Sequence, residues 1–146
     1  MSATNAFETD FLKHIFQNLA IANVGDASGL QPAATAGSFY VSLHTDDPGE
    51  TGDQTTNEAT YTGYARVAVA RSAAGWTISG NEISNAAAVT FGACSAGSNT
   101  ITHFGIGTAE TTAGHLLFSG ELTAPLAVSA GITPEFAIGD LDVTAD

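Results

Sequence analysis

Residues 42–69, SLHTDDPGETGDQTTNEATYTGYARVAV, decide the fold, because they join two β-like segments through an acidic loop with a proline–glycine pair. Before the loop, SFYVSLHT alternates apolar and other residues and places Phe39 and Leu43 on one face. After the loop, YARVAVA places Val67 and Val69 together. The proline–glycine pair suits a tight turn. This stretch therefore predicts two strands and a structured connection, and its carboxylates raise the question of a metal site.

The same alternation continues to the C-terminal residues, with Gly, Asn, Ser or Pro at nearly every junction. The Gly80–Asn81 pair predicts a hairpin turn after GWTIS. The further β-like segments are AAVTFG, TITHFGIG, HLLFSGEL, PLAVSA, ITPEFAIG and LDVT. Eight or nine short strands predict a mainly β chain, folded as a β-sandwich or a jelly-roll-like domain. The alternative is an open sheet that partner chains close.

Residues 5–20, NAFETDFLKHIFQNLA, predict one short amphipathic N-terminal helix, with Asn5 as its cap and Glu8 in a capping-box-like position. An apolar stripe recurs at every fourth position, and we expect it to be buried by the chain's own sheet or by a neighbouring subunit. Its members are the interface candidates Phe7, Phe11, Ile15 and Leu19. The predicted organisation is an N-terminal helix at 1–22, an extended linker at 23–37 and a single β domain at 38–146.

The charge composition limits the partners. Charged residues make up 12% of the chain, about half the usual share of roughly 25%. A surface so poor in charge predicts extensive contact with other protein. Three basic residues stand against fifteen acidic ones, giving a net charge of −12. Such a chain cannot neutralise the phosphates of a nucleic acid or bind an anionic membrane surface, so neither is an expected partner.

The acidic loop holds the candidates for a metal site. Oxygen ligands for Ca²⁺ could come from Asp46, Asp47, Glu50 and Asp53, with Glu58 beyond them. Their spacing does not match the calcium-binding loop of an EF-hand. A carboxylate in a turn often accepts a hydrogen bond from its own backbone. The pattern therefore favours a structural turn over a metal site.

The remaining motifs offer no catalytic constellation. The histidines His14, His44, His103 and His115 lack metal-binding spacing, and FGIG at 104–107 lacks the rest of a dinucleotide fingerprint. That Gly-x-Gly instead predicts a bulge or a close backbone approach. We expect Cys94, the single cysteine, to be a small buried residue, and Arg66 to bond bidentately to a carboxylate or carbonyls. The sequence thus predicts no enzyme, no catalytic residue and no cofactor.

The order YVSLHTDDPGETG, GYARVAV, HFGIG, HLLFSGEL and FAIGDLDV resembles a group of small virion proteins of tailed bacteriophages. The likeness extends over roughly residues 7–146, and its most specific part is the LHTDDPGETG and GYARVAV pairing. Members are commonly labelled tail-fibre or structural proteins. The resemblance implies a non-enzymatic structural protein of the virion, assembled in the cytoplasm of the bacterial host.

Within that group, the leading hypothesis is a capsid decoration (cement) protein that binds the outer shell as a homotrimer. Its expected partners are copies of itself and the major capsid protein or a tail protein. The alternative is a tail-fibre, head-fibre or tail adaptor component. A third possibility is a glycan-binding module in which Trp76, Tyr61 or Tyr64 forms a stacking platform.

Overall fold

A computed structural model of the protein describes residues 2–145. They form one helix and nine strands, and the helix is too short to cross a membrane. The elements are α1 (Asn5–Gln17), β1 (Ser38–His44), β2 (Val67–Ala70), β3 (Trp76–Ser79), β4 (Glu82–Asn85), β5 (Val89–Thr90), β6 (Ser98–Gly107), β7 (Leu116–Ser129), β8 (Glu135–Phe136) and β9 (Asp142–Thr144). The prediction of a mainly β chain with one N-terminal helix is confirmed.

The strands of residues 2–145 form three sheets, in the orders β2-β1-β6-β7, β3-β4-β9 and β5-β8, and none closes into a barrel. The pairings of β1 with β6, β6 with β7, β3 with β4 and β4 with β9 are antiparallel. The chain divides into two compact units. The helical unit takes the described residues up to Ser38, Ala70–Ala88, and those from Phe136 onward, and the sheet unit takes Phe39–Val69 and Val89–Glu135. The division at residues 22 and 37 stays a prediction.

In the helical unit, α1 begins at Asn5, within the predicted segment, but its cap lies one residue earlier than expected. Thr4, not Asn5, is the N-cap, and its hydroxyl accepts a hydrogen bond from the Phe7 amide at 3.4 Å. The helix ends at Gln17, three residues before the predicted end, because Asn18 adopts the left-handed conformation with φ of 56°.

The core of the helical unit forms where α1 packs on the β3–β4 hairpin. The Phe16 and Trp76 rings meet edge to face with centroids 4.9 Å apart. The predicted turn at Gly80–Asn81 is confirmed, since β3 and β4 pair on either side of it. Five apolar side chains of this unit have no exposed area: Leu12, Phe16, Trp76, Ile83 and Leu141.

The chain does not bury the predicted apolar stripe of α1. Phe7 and Leu19 are 47% and 48% exposed, while Phe11 and Ile15 are half-buried. The buried row is instead Glu8, Leu12 and Phe16. The two rows are only one position apart along the helix. The row that contains Phe16 is the buried one, because Phe16 packs against Trp76. Leu19 also lies beyond the end of the helix. The chain alone therefore does not bury the whole stripe, and its burial by a neighbouring subunit stays a prediction.

Arg71 fixes the C-terminal end of α1. Its guanidinium donates to the carbonyls of Ile15 at 2.6 Å and His14 at 3.0 Å, which belong to the last helical turn, and to the Ala36 carbonyl at 3.0 Å. The carbonyls of the last helical turn have no hydrogen-bond donor within the helix, so Arg71 supplies one. The segment 23–37, predicted as a linker, is thus tied to the helix end at Ala36.

The sheet unit centres on the pairing of β1 with β6, in which Leu43 faces Phe104 and His44 faces His103. The predicted close approach at the Gly-x-Gly is confirmed, because a Cβ on Gly105 would stand 2.6 Å from the Ser42 hydroxyl. β7 runs without a break through Leu116–Ser129, where the sequence suggested two shorter strands.

The two rows of α1 give the first prediction. Phe16→Ala should lower the free energy of unfolding by about 3–5 kcal/mol, because it removes a fully buried aromatic ring. Leu19→Ala, at a position about half exposed, should change it by no more than about 0.5 kcal/mol. Urea denaturation followed by circular dichroism measures both, and equal losses in the two variants would contradict the assignment of the buried row.

Candidate functional site

An ion pair between Glu58 and Arg66 closes the acidic loop of the sheet unit. Arg66 Nε and Nη2 donate to the two carboxylate oxygens of Glu58 at 2.6 and 2.8 Å, and Nη1 donates to the carbonyls of Ala109 and Thr112 at 2.8 and 2.7 Å. The Arg66 side chain is 3% exposed. Its hydrogen bonds with Glu58 raise the pKa of Arg66. The predicted bidentate contact is confirmed, and it ties the loop after β1 to the β6–β7 connection.

Tyr64 extends this network towards β1. Its hydroxyl donates to the Glu58 carboxylate at 2.8 Å and accepts from the Leu43 amide at 3.1 Å. Burial and the neighbouring Glu58 carboxylate raise the pKa of Tyr64. Its ring stacks on Phe91 with centroids 6.2 Å apart. The Tyr64 side chain is therefore committed to the interior of the sheet unit.

The proposed stacking platform for a glycan is not formed. In the sheet unit Tyr61 is 3% exposed and donates its hydroxyl to the Gly92 carbonyl at 3.0 Å. In the helical unit Trp76 has no exposed area. A sugar stacks on an exposed ring face, and neither residue offers one. These aromatic residues are core residues, in line with ordinary burial preferences.

His44 is the buried histidine of the sheet unit. It has no exposed area. Its Nδ1 donates to the Thr56 carbonyl at 2.8 Å, and its Nε2 lies 2.8 Å from the Ser42 hydroxyl. Desolvation by burial lowers the pKa of His44. The Ser42–His44 contact has the atoms of a nucleophile–base pair, but both side chains are fully buried, so no substrate reaches them.

The carboxylates of the acidic loop bond to their own backbone. Asp46 accepts from the Asp47 amide and Asp47 from the Gly49 amide, each at 2.9 Å. Asp53 accepts from the Thr55 hydroxyl at 2.6 Å and its amide at 2.8 Å, and these bonds lower the pKa of Asp53. These are the contacts of a structured turn.

The other candidates for metal ligands also stay apart. Glu50 is exposed. Between residues 2 and 145, no three His, Cys, Asp or Glu side chains lie together in a way that could hold a metal ion. Cys94 is 2% exposed, as predicted for a small buried residue. The structure thus gathers neither the loop carboxylates nor the histidines into a centre.

The helical unit carries a different kind of surface, a shallow groove beside the first turns of α1. Ala3, Phe7, Glu8, Phe11 and Ala145 line it, around a volume of about 250 Å³. Two interface candidates, Phe7 and Phe11, therefore lie together there. Ile15 and Leu19 do not line this groove.

Glu8 is the groove residue whose role was missed. It was predicted as the capping-box partner of Asn5, but the N-cap is Thr4. Glu8 is only 8% exposed and lies one turn before Leu12 and two before Phe16 on the buried row. The spacing of four residues from Glu8 to Leu12 and Phe16 could have predicted that Glu8 is buried. The parallel apolar stripe that begins at Phe7 was chosen as the buried row instead.

Antiparallel sheets, a packed amphipathic helix and polar groups used in structural bonds define a structural module. A family model described as podophage GP4 fiber I protein gp80 matches residues 2–144, and the chain belongs to this family. No curated protein matches it. The chain is accordingly a non-enzymatic fibre protein of a tailed phage and a part of the virion.

Membership of this family favours the fibre role over the capsid decoration role. A fibre protein agrees with the alternative hypothesis of a tail-fibre or head-fibre component better than with a capsid decoration protein. The cement hypothesis relied on a β module without a fibre repeat, on surfaces poor in charge and on acidity, and a small fibre component without a shaft can have these properties as well.

The Arg66 network gives the second prediction. Arg66→Lys keeps the charge but loses the planar fork, leaving one carboxylate oxygen and two loop carbonyls without donors. We expect the free energy of unfolding to fall by about 3 kcal/mol. Glu58→Gln disrupts the same network, so the double variant should lose less than the sum of the single losses, by at least about 1 kcal/mol. Additive losses in urea denaturation would show that the two residues act independently.

His44 gives the third prediction, on pH. Its pKa in the folded protein lies below the ordinary value of 6.5, so the unfolded chain binds the proton more readily. Stability should be unaffected by His44 above pH 6.5 and should fall as pH drops below it, by at most about 1.4 kcal/mol per pH unit.

His44→Gln should flatten this dependence between pH 6.5 and 5, as measured by thermal unfolding. His115→Gln removes an exposed histidine and is the matched control, which should keep the wild-type slope. A slope that survives in His44→Gln would assign the pH dependence to another group.

Proposed function

We propose that this protein is a compact, non-shaft component of a phage fibre, at the tail or head or as a tail adaptor, and that it attaches through the outer face of α1. The homotrimer expected from the sequence remains a prediction. The expected role is attachment of the virion to its host, and the protein contributes structure without catalysis.

Exposed apolar side chains on α1 and just beyond its C-terminal end are the observation that carries the proposal. The inner row of the helix is already filled by contacts within the helical unit, so Phe7 and Leu19 are not needed for its core. Their exposures of 47% and 48% are accompanied by exposed Val24 and Leu30, at 40% and 45%, in the segment after the helix. A contiguous patch of exposed apolar side chains is typical of protein interaction sites, and Phe7 and Phe11 lie together in the groove beside α1.

The absence of a shaft pattern favours a compact component over a fibre rod. A rod requires a sequence repeat or a heptad pattern, and the sequence of 146 residues has neither. The short strands and the single helix of 13 residues instead form small packed units. A component built from such units suits a joint or a tip, present in a few to a dozen copies per virion.

Phage assembly supplies the test. The double variant Phe7→Ser and Leu19→Ser should fold normally, since both side chains are about half exposed, but should be depleted from purified virions at least tenfold. Quantitative mass spectrometry of virions measures the copy number. Ile138→Ser, at a position 69% exposed in the helical unit but outside α1, is the control and should be incorporated fully.

Virions that lack the protein distinguish the fibre role from the cement role. We expect them to keep their heat resistance and to adsorb poorly to host cells. Loss of heat resistance with normal adsorption would overturn the fibre role proposed for this chain. Full incorporation of the Phe7/Leu19 double variant would overturn attachment through α1.

A further inference from the structure

Among the described residues, the groove beside α1 combines one charged group with apolar ones. Phe7 and Phe11 lie one turn apart along the helix, Ala3 and Ala145 are further apolar lining residues, and Glu8 is the one ionisable residue of this described lining. An aliphatic chain would be in contact with carbon atoms along this groove and would end near a carboxylate.

That carboxylate is without a partner in the described part of the chain. Glu8 as a residue is 8% exposed. No hydrogen bond or ion pair joins its side chain to another of residues 2–145. The partial positive charge at the N-terminal end of α1 favours an acid there. The Glu8 oxygens are not among the atoms of residues 2–145 that are both buried and unpaired, so the carboxylate is accessible to solvent although most of the side chain is covered. Within residues 2–145, no cation pairs with it.

The chain has few cations with which to fill it. Arg66 pairs with Glu58, and Arg71 bonds to carbonyls at the other end of α1. Lys13 lies five residues after Glu8, about 140° around the helix, so it cannot reach the groove of its own chain. A second copy would bring Lys13 with a net charge of −12, and like net charges oppose that approach. Charge complementarity instead favours a basic segment of a different protein.

We propose that the groove receives a lysine or arginine side chain from another virion protein, whose aliphatic stem packs on Phe7 and Phe11 while its cationic group pairs with Glu8. This inference rests on the proposed attachment through α1 and specifies what the partner presents there. A long basic side chain fits, because its stem is apolar and its head is charged. The phenyl faces add an attraction for the cation.

Small-molecule probes test the groove directly. Titration of the ¹⁵N-labelled protein with n-butylammonium chloride or n-propylguanidinium chloride should give saturable amide shifts confined to the groove residues. The probe that binds more tightly distinguishes lysine-like from arginine-like occupancy. 1-Butanol, which carries no charge, should bind at least tenfold more weakly than the tighter cation.

The variant Glu8→Gln removes the charge at nearly constant size and should weaken binding of the cations at least tenfold. Glu121→Gln, an exposed glutamate of the sheet unit, is the matched control and should bind as wild type does. Equal binding by Glu8→Gln, or no saturable shift with either cation, would overturn the proposal. A marked fall in the melting temperature of Glu8→Gln would also overturn it, by showing that the carboxylate is already paired within the chain.

Virion incorporation separates this inference from the proposed function. We expect Glu8→Gln to be depleted from virions, as the Phe7/Leu19 double variant is. If the double variant is depleted and Glu8→Gln is incorporated fully, attachment through α1 stands and the cation contact fails. If the probes bind in a Glu8-dependent manner and the double variant is incorporated fully, the groove stands and the proposed attachment fails.

Discussion

The sheet unit depends on one buried interaction, the fork of Arg66 on Glu58. The two residues lie eight positions apart, and their pairing folds the second half of the acidic loop back on itself. The remaining donors of the same guanidinium hold the connection between β6 and β7 at Ala109 and Thr112. Because Tyr64 bonds both to Glu58 and to the Leu43 amide, the position of the loop is also linked to β1. One side chain thus orders three segments that the strand pairings alone would leave free.

The helical unit uses its own arginine in a related way. Arg71 satisfies carbonyls at the C-terminal end of α1 and holds Ala36 beside them. Two of the three basic residues of the chain therefore serve interior bonds to carboxylates and carbonyls. The surface that remains is acidic and, on the outer face of α1, apolar. The absence of a nucleic-acid partner stays an expectation from the charge composition, and the proposed partner is a protein that brings its own basic residues.

The sequence predicted most of the architecture, because strand alternation and turn residues are local signals. The hairpin at Gly80–Asn81, the strand before the acidic loop and the arginine fork were all foreseeable. The buried row of α1 was not, because Phe11 and Phe16 belong to adjacent rows and only the distant Trp76 selects between them. The same tertiary choice determines that Glu8 is buried. His44 was equally inaccessible to pattern reasoning, since both faces of the end of β1 are covered.

β7 has a consequence for how copies of the protein meet. It is an outer strand of the four-stranded sheet, and long outer strands tend to recruit further strands into uncontrolled aggregates. Here the pairing is irregular, because Ile101 of β6 pairs with Leu126 of β7 and His103 pairs with Glu121. Two steps along β6 thus correspond to five along β7. Pro125, which has no amide hydrogen to donate, lies in this irregular stretch. The edge is thereby a poor template for strand addition. At the high concentrations in an infected cell, this edge disfavours amyloid-like stacking of copies through their strands. Copies then associate through side-chain surfaces, which allow a fibre to assemble with a defined number and order of subunits.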